Sequence, residues 1–273
     1  MKLYFATAIL LTGFLFSCNN NSNQPGKDVI ASTPATPIIN YAVTKFFPHE
    51  TNLYTEGLLV HNGQLFESTG SPDDHPQTKS VIGIIDLATG KMDQKVEIDK
   101  SKYFGEGIVI FNDKLYQLTY TTQVGFIYDL KTFRKTGEFK YSNKQGWSLT
   151  TNGTELIMSD GTNKLTFLDP ATLKPVKVLA VTENGVPVEK LNELEFIKGF
   201  IYANVWLTDF IVKIDPATGR VIGKLDFTSL SFEAKNKNPD AEVLNGIAYD
   251  AATDKIYVTG KLWPNIYQVE FAH

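Results

Sequence analysis

Two glutamates in this chain stand in nearly the same setting. Glu106 lies between Gly105 and Gly107 ahead of the apolar run Ile108-Val109-Ile110-Phe111, and Glu56 precedes Gly57 ahead of Leu58-Leu59-Val60. A strand that only has to fold gains nothing from an ionisable group at its mouth. A carboxylate placed there can move a proton, hold a cationic amine, or offer oxygen to a hard cation such as Ca²⁺. Asn192 with Glu193, Asn245 and Trp147 hold matching places at the starts of three further strand-like runs. The four histidines, His49, His61, His75 and His273, show no metal-ligand spacing, and His49-Glu50-Thr51-Asn52-Leu53 lacks the second histidine of a zinc helix. That pattern argues against a zinc site built from several His or from Cys.

The elements that must position these residues repeat along the chain. Four segments, Ile84–Lys91, Ile127–Lys135, Phe167–Pro175 and Lys213–Val221, each read as a strand ending in Asp-Leu or Asp-Pro with a Thr beyond. Their aspartates, Asp86, Asp129, Asp169 and Asp215, are spaced by 43, 40 and 46 residues. In such a turn the Asp side chain caps nearby backbone N–H groups, and the period suits a four-stranded blade of a β-propeller. The runs 56–60, 106–110, 147–151, 193–197 and 245–249 supply five first strands, and 64–70, 114–120, 155–161, 200–206 and 255–260 five second strands. The fifth unit ends with the chain, so its fourth strand is expected from residues 40–47, which closes the ring and removes the sheet edges. The expected class is all-β, a five-bladed β-propeller spanning 38–273. Residues 182–192 and 228–242 are longer insertions expected to carry short helical turns.

In a propeller, first strands begin and second strands end at one face. Glu56, Glu106, Trp147, Asn192, Glu193 and Asn245 should therefore meet Glu67, Tyr120, Asp160, Trp206 and Lys261 around one mouth. Aromatic walls with a few directed polar groups describe a pocket for a small molecule or a chain end.

Composition bounds the alternatives. The chain has 273 residues, 42% of them hydrophobic and 12% aromatic, enough for one sizeable core. The net charge is −4, with no basic stripe, which excludes a nucleic-acid surface. Residues 1–17 read as a signal peptide, with Lys2, an apolar stretch too short for a membrane span, and Leu15-Phe16-Ser17 before Cys18. This resembles a bacterial lipobox, so Cys18 is expected to be lipidated and residues 18–37 to form a flexible tether. That implies a lipoprotein of the bacterial cell envelope, on the periplasmic or extracellular face, touching the membrane through its anchor alone. Cys18 is the single cysteine, which excludes an intrachain disulfide. Oligomeric state is not legible.

The stretches 54–58, 67–70, 104–108, 145–150, 159–161, 191–195, 203–206, 243–250 and 259–264 together resemble, in order, the glutamine cyclotransferases of the plant and bacterial type. These are five-bladed propellers that convert N-terminal glutamine to pyroglutamate. The resemblance implies catalytic roles for Glu106, Asn192 and Lys261, and a substrate-binding wall of Tyr54, Glu56, Phe104, Tyr120, Trp147 and Trp206. Plant members commonly carry Phe-Thr-Gln-Gly where this chain has Tyr54-Thr55-Glu56-Gly57, and a pocket Trp where it has Tyr120.

The implied reaction is attack of the α-amine on its own γ-carboxamide with loss of ammonia. One carboxylate, Glu106, can carry the proton from the amine to the leaving nitrogen, so no cofactor and no catalytic metal are needed. Gly105 and Gly107 would let substrate approach the backbone. Glu56 would hold the α-ammonium, Asn192 the carboxamide or first peptide carbonyl, and Lys261 the oxyanion. Two other readings stay open. One is a metal-dependent lactonase or esterase propeller using Glu56, Glu106, Asn192 and Asn245; the other is a non-catalytic propeller that binds peptide or glycan. Channel acids could also hold a structural Ca²⁺.

Overall fold

The computed structural model describes residues 35–273. The expected signal peptide, Cys18 and nearly all of the tether lie outside the described residues. Pro37, the last residue of the expected tether, meets the fourth blade: its carbonyl accepts a hydrogen bond from Lys224 N at 3.0 Å.

Five four-stranded antiparallel sheets follow one another along the chain. After β1 (Tyr41–Pro48), the first blade is β2 (Tyr54–His61), β3 (Gln64–Gly70), β4 (Val81–Ile85) and β5 (Met92–Glu97). The second is β6 (Gly105–Phe111), β7 (Lys114–Thr119), β8 (Val124–Asp129) and β9 (Lys135–Lys140), and the third is β10 (Ser148–Thr151), β11 (Leu156–Ser159), β12 (Lys164–Leu168) and β13 (Pro175–Ala180). A small hairpin, β14 (Thr182–Glu183) and β15 (Val186–Pro187), precedes the fourth blade of β16 (Leu191–Ile197), β17 (Phe200–Val205), β18 (Phe210–Ile214) and β19 (Val221–Asp226). Helix α1 (Thr228–Lys237) leads to β20 (Leu244–Asp250), β21 (Lys255–Gly260) and β22 (Asn265–Phe271). β1 pairs antiparallel with β22, so the fifth sheet runs β20, β21, β22, β1.

The inner strands are buried along most of their length, whereas the outer strands β5, β9 and β13 each bury a single residue. The apolar residues between neighbouring sheets form five clusters, one per blade interface, including one between the fifth blade and the first built from Phe47, Leu58, Tyr257 and Ile266. The four repeated aspartates sit in the turns between third and fourth strands. Asp129 Oδ1, for instance, accepts from Thr132 N at 2.8 Å and Thr132 Oγ1 at 2.6 Å, and Asp169 accepts from Thr172 in the same way, while Asp86 and Asp215 accept from Ala88 N and Thr89 Oγ1 and from Ala217 N and Thr218 Oγ1. Of the two insertions, 228–242 forms the ten-residue α1, which buries Leu230 and Ala234 one turn apart. The other, at 182–192, carries the β14–β15 hairpin instead of the helical turn expected there. Its four paired residues bracket Asn184-Gly185, both at positive φ, which is hairpin-turn chemistry.

Candidate active site

Four of the five inner strands carry the same irregularity at their first residues. The ladder slips between Thr55 and Gly57, between Gly105 and Ile108, between Leu191 and Leu194, and between Leu244 and Ile247. The residues released from pairing are Glu56, Glu106 with Gly107, Asn192 with Glu193, and Asn245 with Gly246. A bulge inserts one extra residue and re-aims a side chain. Here it turns a polar residue away from the blade face and toward the axis.

A cavity of about 240 Å³ opens above these bulges, lined by Tyr54, Glu56, Pro72, Phe104, Glu106, Tyr120, Trp147, Asn192, Trp206 and Lys261. All nine residues expected to act on substrate therefore share one wall. Pro72 is an addition; it lies on the loop after β3, the kind of connection that returns to the same face. Four other residues expected at the mouth do not line the cavity. Glu67 is spent on His49 and Thr55. Asp160 accepts from Asn143 Nδ2 and Thr162. Glu193 accepts from Leu58 N and Ile247 N, bracing three blades together. Asn245 Nδ2 donates to Thr55 O at 2.9 Å and to Glu56 Oε2 at 3.3 Å, so it acts from behind Glu56.

The aromatic wall is tightly interlocked. Trp147 and Trp206 meet edge to face at 5.6 Å between ring centroids. Phe104 lies 6.4 Å from Tyr54 and 5.9 Å from Tyr120. Trp147 Nε1 donates to Gln145 Oε1 at 2.9 Å, and the Lys190 ammonium lies over the Trp206 ring. Gly70 and Gly161 exist for this wall: a Cβ on the first would lie 2.2 Å from the Phe104 ring and on the second 2.5 Å from the Trp147 ring. Gly105 and Gly107 have a different use from the substrate approach expected of them. A Cβ on Gly107 would lie 2.5 Å from Ser148 Cα, and one on Gly105 2.7 Å from Thr69 O. Gly107 lets the inner strands β6 and β10 close up around the axis, and Gly105 lets β6 pass close to β3 of the first blade.

The polar groups are buried. Glu106 is 4% exposed and Glu56 2%. No described residue donates a hydrogen bond to the Glu106 carboxylate; its pKa is held well above the usual carboxylate range by burial first and the facing Glu56 charge second, with the Lys261 ammonium opposing. Lys261 Nζ lies 2.5 Å from Glu56 Oε1 and 4.4 Å from the Tyr54 ring centroid. Burial nonetheless lifts Glu56 to about 7, against the pull of Lys261. The two acids face each other and titrate as a pair. Asn192, 3% exposed, lines the cavity with its Oδ1 buried and unpartnered, while its carbonyl accepts from Ser159 Oγ at 2.8 Å. An amide fixed in this way has hydrogen-bonding capacity left for a guest.

Of the channel acids that could offer oxygen to a cation, Glu193 is engaged by two backbone N–H groups and Glu56 by Lys261 and Asn245, whereas Glu106 accepts from no described residue. Among the described residues, the carboxylates and histidines that come together closely enough to ligate one ion are Asp74, His75 and Glu242, outside the cavity lining. There His75 Nε2 and Glu242 Oε1 are bonded to each other at 2.8 Å.

A family model for glutamine cyclotransferases matches residues 10–271. The chain is 39% identical over 264 residues to a glutaminyl-peptide cyclotransferase of Arabidopsis thaliana, an alignment covering 96% of this chain and 81% of that protein. The crystal structure of Myxococcus xanthus glutaminyl cyclase superposes with a TM-score of 0.76 at 34% identity, covering 86% of this chain and 98% of the other.

Proposed function

The chain belongs to the glutamine cyclotransferase family, and from that premise we propose that it is a glutaminyl-peptide cyclotransferase, with Glu106 as its proton carrier. The enzyme cyclises the N-terminal glutamine of a peptide or protein to pyroglutamate and releases ammonia. The observation that carries the assignment of Glu106 is a buried carboxyl group, lifted in pKa and free of protein donors, at the floor of an aromatic cavity.

The reaction follows from that geometry. Trp147, Trp206 and Phe104 fold the glutamine side chain so that its α-nitrogen lies against its γ-carboxamide carbon. Orientation of this kind converts a slow encounter into an intramolecular step. The aromatic wall keeps water from competing for the carboxamide. The new C–N bond forms as the amine lone pair attacks. Glu106 takes one proton from that nitrogen and delivers one to the departing nitrogen, so the C–N bond to ammonia breaks with no net proton change. Free peptide amines titrate near pH 7.7–8.0. Burial and the Glu56 charge raise the Glu106 pKa, which narrows its gap to such an amine and lowers the cost of the proton exchange. Asn192 Oδ1 holds a substrate N–H, and the Glu56–Lys261 pair sets the charge against which the α-ammonium and the oxyanion develop. No step calls for a metal or a cofactor. Incubation of a Gln-initiated synthetic peptide should produce, by mass spectrometry, a product lighter by one ammonia at a rate far above the spontaneous one. A rate equal to the spontaneous one overturns the reading.

Lipidation of Cys18 and attachment to a bacterial envelope membrane are part of the same proposal. They are supported by the lipobox-like residues 15–18 and by the Asn- and Pro-rich stretch that follows.

A further inference from the structure

We propose that Glu242 is a positioning residue for the cavity, acting through the hydroxyl of Tyr54; the inference rests on the cyclisation reading. Glu242 does not line the cavity. It follows α1 and leads into β20, and its backbone is stitched to the strand end that carries Lys261. Glu242 N donates to Lys261 O at 2.8 Å, Lys261 N donates to Val243 O at 3.0 Å, and Trp263 Nε1 donates to Glu242 O at 2.8 Å. The carboxylate is thus mounted on a rigid part of the fifth blade.

Both of its oxygens are used. Oε2 accepts from the Tyr54 hydroxyl at 2.7 Å, and Oε1 faces His75 Nε2 at 2.8 Å. His75 is itself fixed in the loop after β3, where its N–H donates to Pro72 O at 3.1 Å and its carbonyl accepts from Thr78. The Tyr54 ring and the His75 ring lie 5.9 Å apart. The clamp therefore joins the fifth blade to the first across the closing interface, and it ends on an aromatic ring of the cavity wall.

What the clamp fixes is the ring's outlook. Tyr54 presents its face to the Lys261 ammonium at 4.4 Å and an edge contact to Phe104. Lys261 in turn holds Glu56. A Tyr54 ring free to swing about its side-chain torsions loosens Lys261, then Glu56, and the charged end of the site loses its geometry. Proton carriage by Glu106 is not touched directly. Loss of the clamp should therefore weaken substrate capture more than turnover.

A double-mutant cycle tests this on the full-length protein with a Gln-initiated peptide. Glu242→Ala and Tyr54→Phe should each raise KM roughly 10-fold with kcat within about 3-fold of wild type, and the double variant should be no worse than either single one. Glu242→Gln keeps an acceptor for the hydroxyl and should restore KM to within about 3-fold of wild type. Unchanged KM in Glu242→Ala, or effects that multiply in the double variant, would overturn the positioning role. If Glu242→Ala does not fold, the same cycle is read between Tyr54→Phe and Glu242→Leu. A Glu242→Gln enzyme as impaired as Tyr54→Phe counts against the proposal. A wild type that releases no ammonia sinks the cyclisation reading and this inference together, whereas an active wild type beside an unaffected Glu242→Ala sinks only the inference.

Discussion

Glu106 is an acid kept from ionising by where it stands. It is buried, a second carboxylate bears on it, and no described protein group donates to it. Glu106→Gln preserves its shape and hydrogen-bonding outline but cannot accept and return a proton. The expected loss is about 10²–10⁴ in kcat with the fold intact, checked by steady-state kinetics beside a melting curve. A folded variant with wild-type kcat would remove Glu106 from the mechanism. Glu56 is the second test at this scale. Its charge is the second cause of the raised Glu106 pKa, so Glu56→Gln should lower that pKa and move the acid limb of kcat/KM to lower pH. The same change releases the Lys261 ammonium toward an incoming α-ammonium and should raise KM by roughly 10-fold, about 1.4 kcal/mol. A pH–rate profile with KM read at each point shows both effects, and a profile identical to wild type would place Glu56 outside the site.

At the scale of the element, the repeated bulge is the device that turns a strand into a catalytic wall. Four of the five inner strands begin with a residue outside the ladder, and in β2 and β6 the glycine beside it, Gly57 or Gly107, allows the next inner strand to come close. Gly107→Ala should therefore act on packing first. Its Cβ meets Ser148 Cα, backbone that cannot rotate aside. A cost of about 1–3 kcal/mol is expected from overpacking, measured by denaturant unfolding, with Trp147 displaced because Gly107 N donates to its carbonyl at 2.9 Å. Unaltered stability would mean that the second and third blades have slack that the structure does not show.

For the whole molecule, stability depends on closing the ring. His49, just after β1, is buried with Nδ1 2.8 Å from Trp263 O and Nε2 2.9 Å from Glu67 Oε2. Both ring nitrogens face acceptors, so the ring carries two protons. Burial opposes that charge, but Glu67 outweighs it and the His49 pKa is raised. A raised histidine stabilises the fold fully below the unfolded value near pH 6.5 and loses that contribution as pH climbs through the folded value. Melting temperature should accordingly fall as pH rises above about 6.5. His49→Ala should flatten that fall and cost about 3–5 kcal/mol, because it strands a buried carboxylate. A wild-type profile flat above pH 6.5 would contradict the doubly protonated ring. The remaining expectation at this scale concerns the anchor. On the proposed lipidation, Cys18→Ser should move the protein from the membrane fraction to the soluble one at unchanged specific activity, since an anchor on Cys18 would be separate from the propeller. A wild type that is itself wholly soluble would refute lipidation.

Much of this protein is written in its linear order. Five strand starts, four Asp turns and an unfinished last unit already imply a five-bladed ring, because period-two burial and turn chemistry are local properties. The faces on which first strands begin and second strands end follow from that topology, which is why all nine expected site residues share one cavity. Neighbour choice among buried polar groups is not local. Whether Glu67 or Glu56 faces the axis depends on a one-residue bulge, and a bulge leaves no residue-type signature beyond a glycine. Glu67 lies on β3, a regular strand, and turns to His49; Glu56 lies in a bulge and turns to Lys261. His75 and Glu242 are 167 residues apart and meet only because the ring brings the fifth blade against the first. The types of residue at the site were legible in the chain. Which of them touch, and which of the acids is left unpaired at the cavity floor, was decided by closure of the ring, because only there do residues from both ends of the chain compete for the same partners.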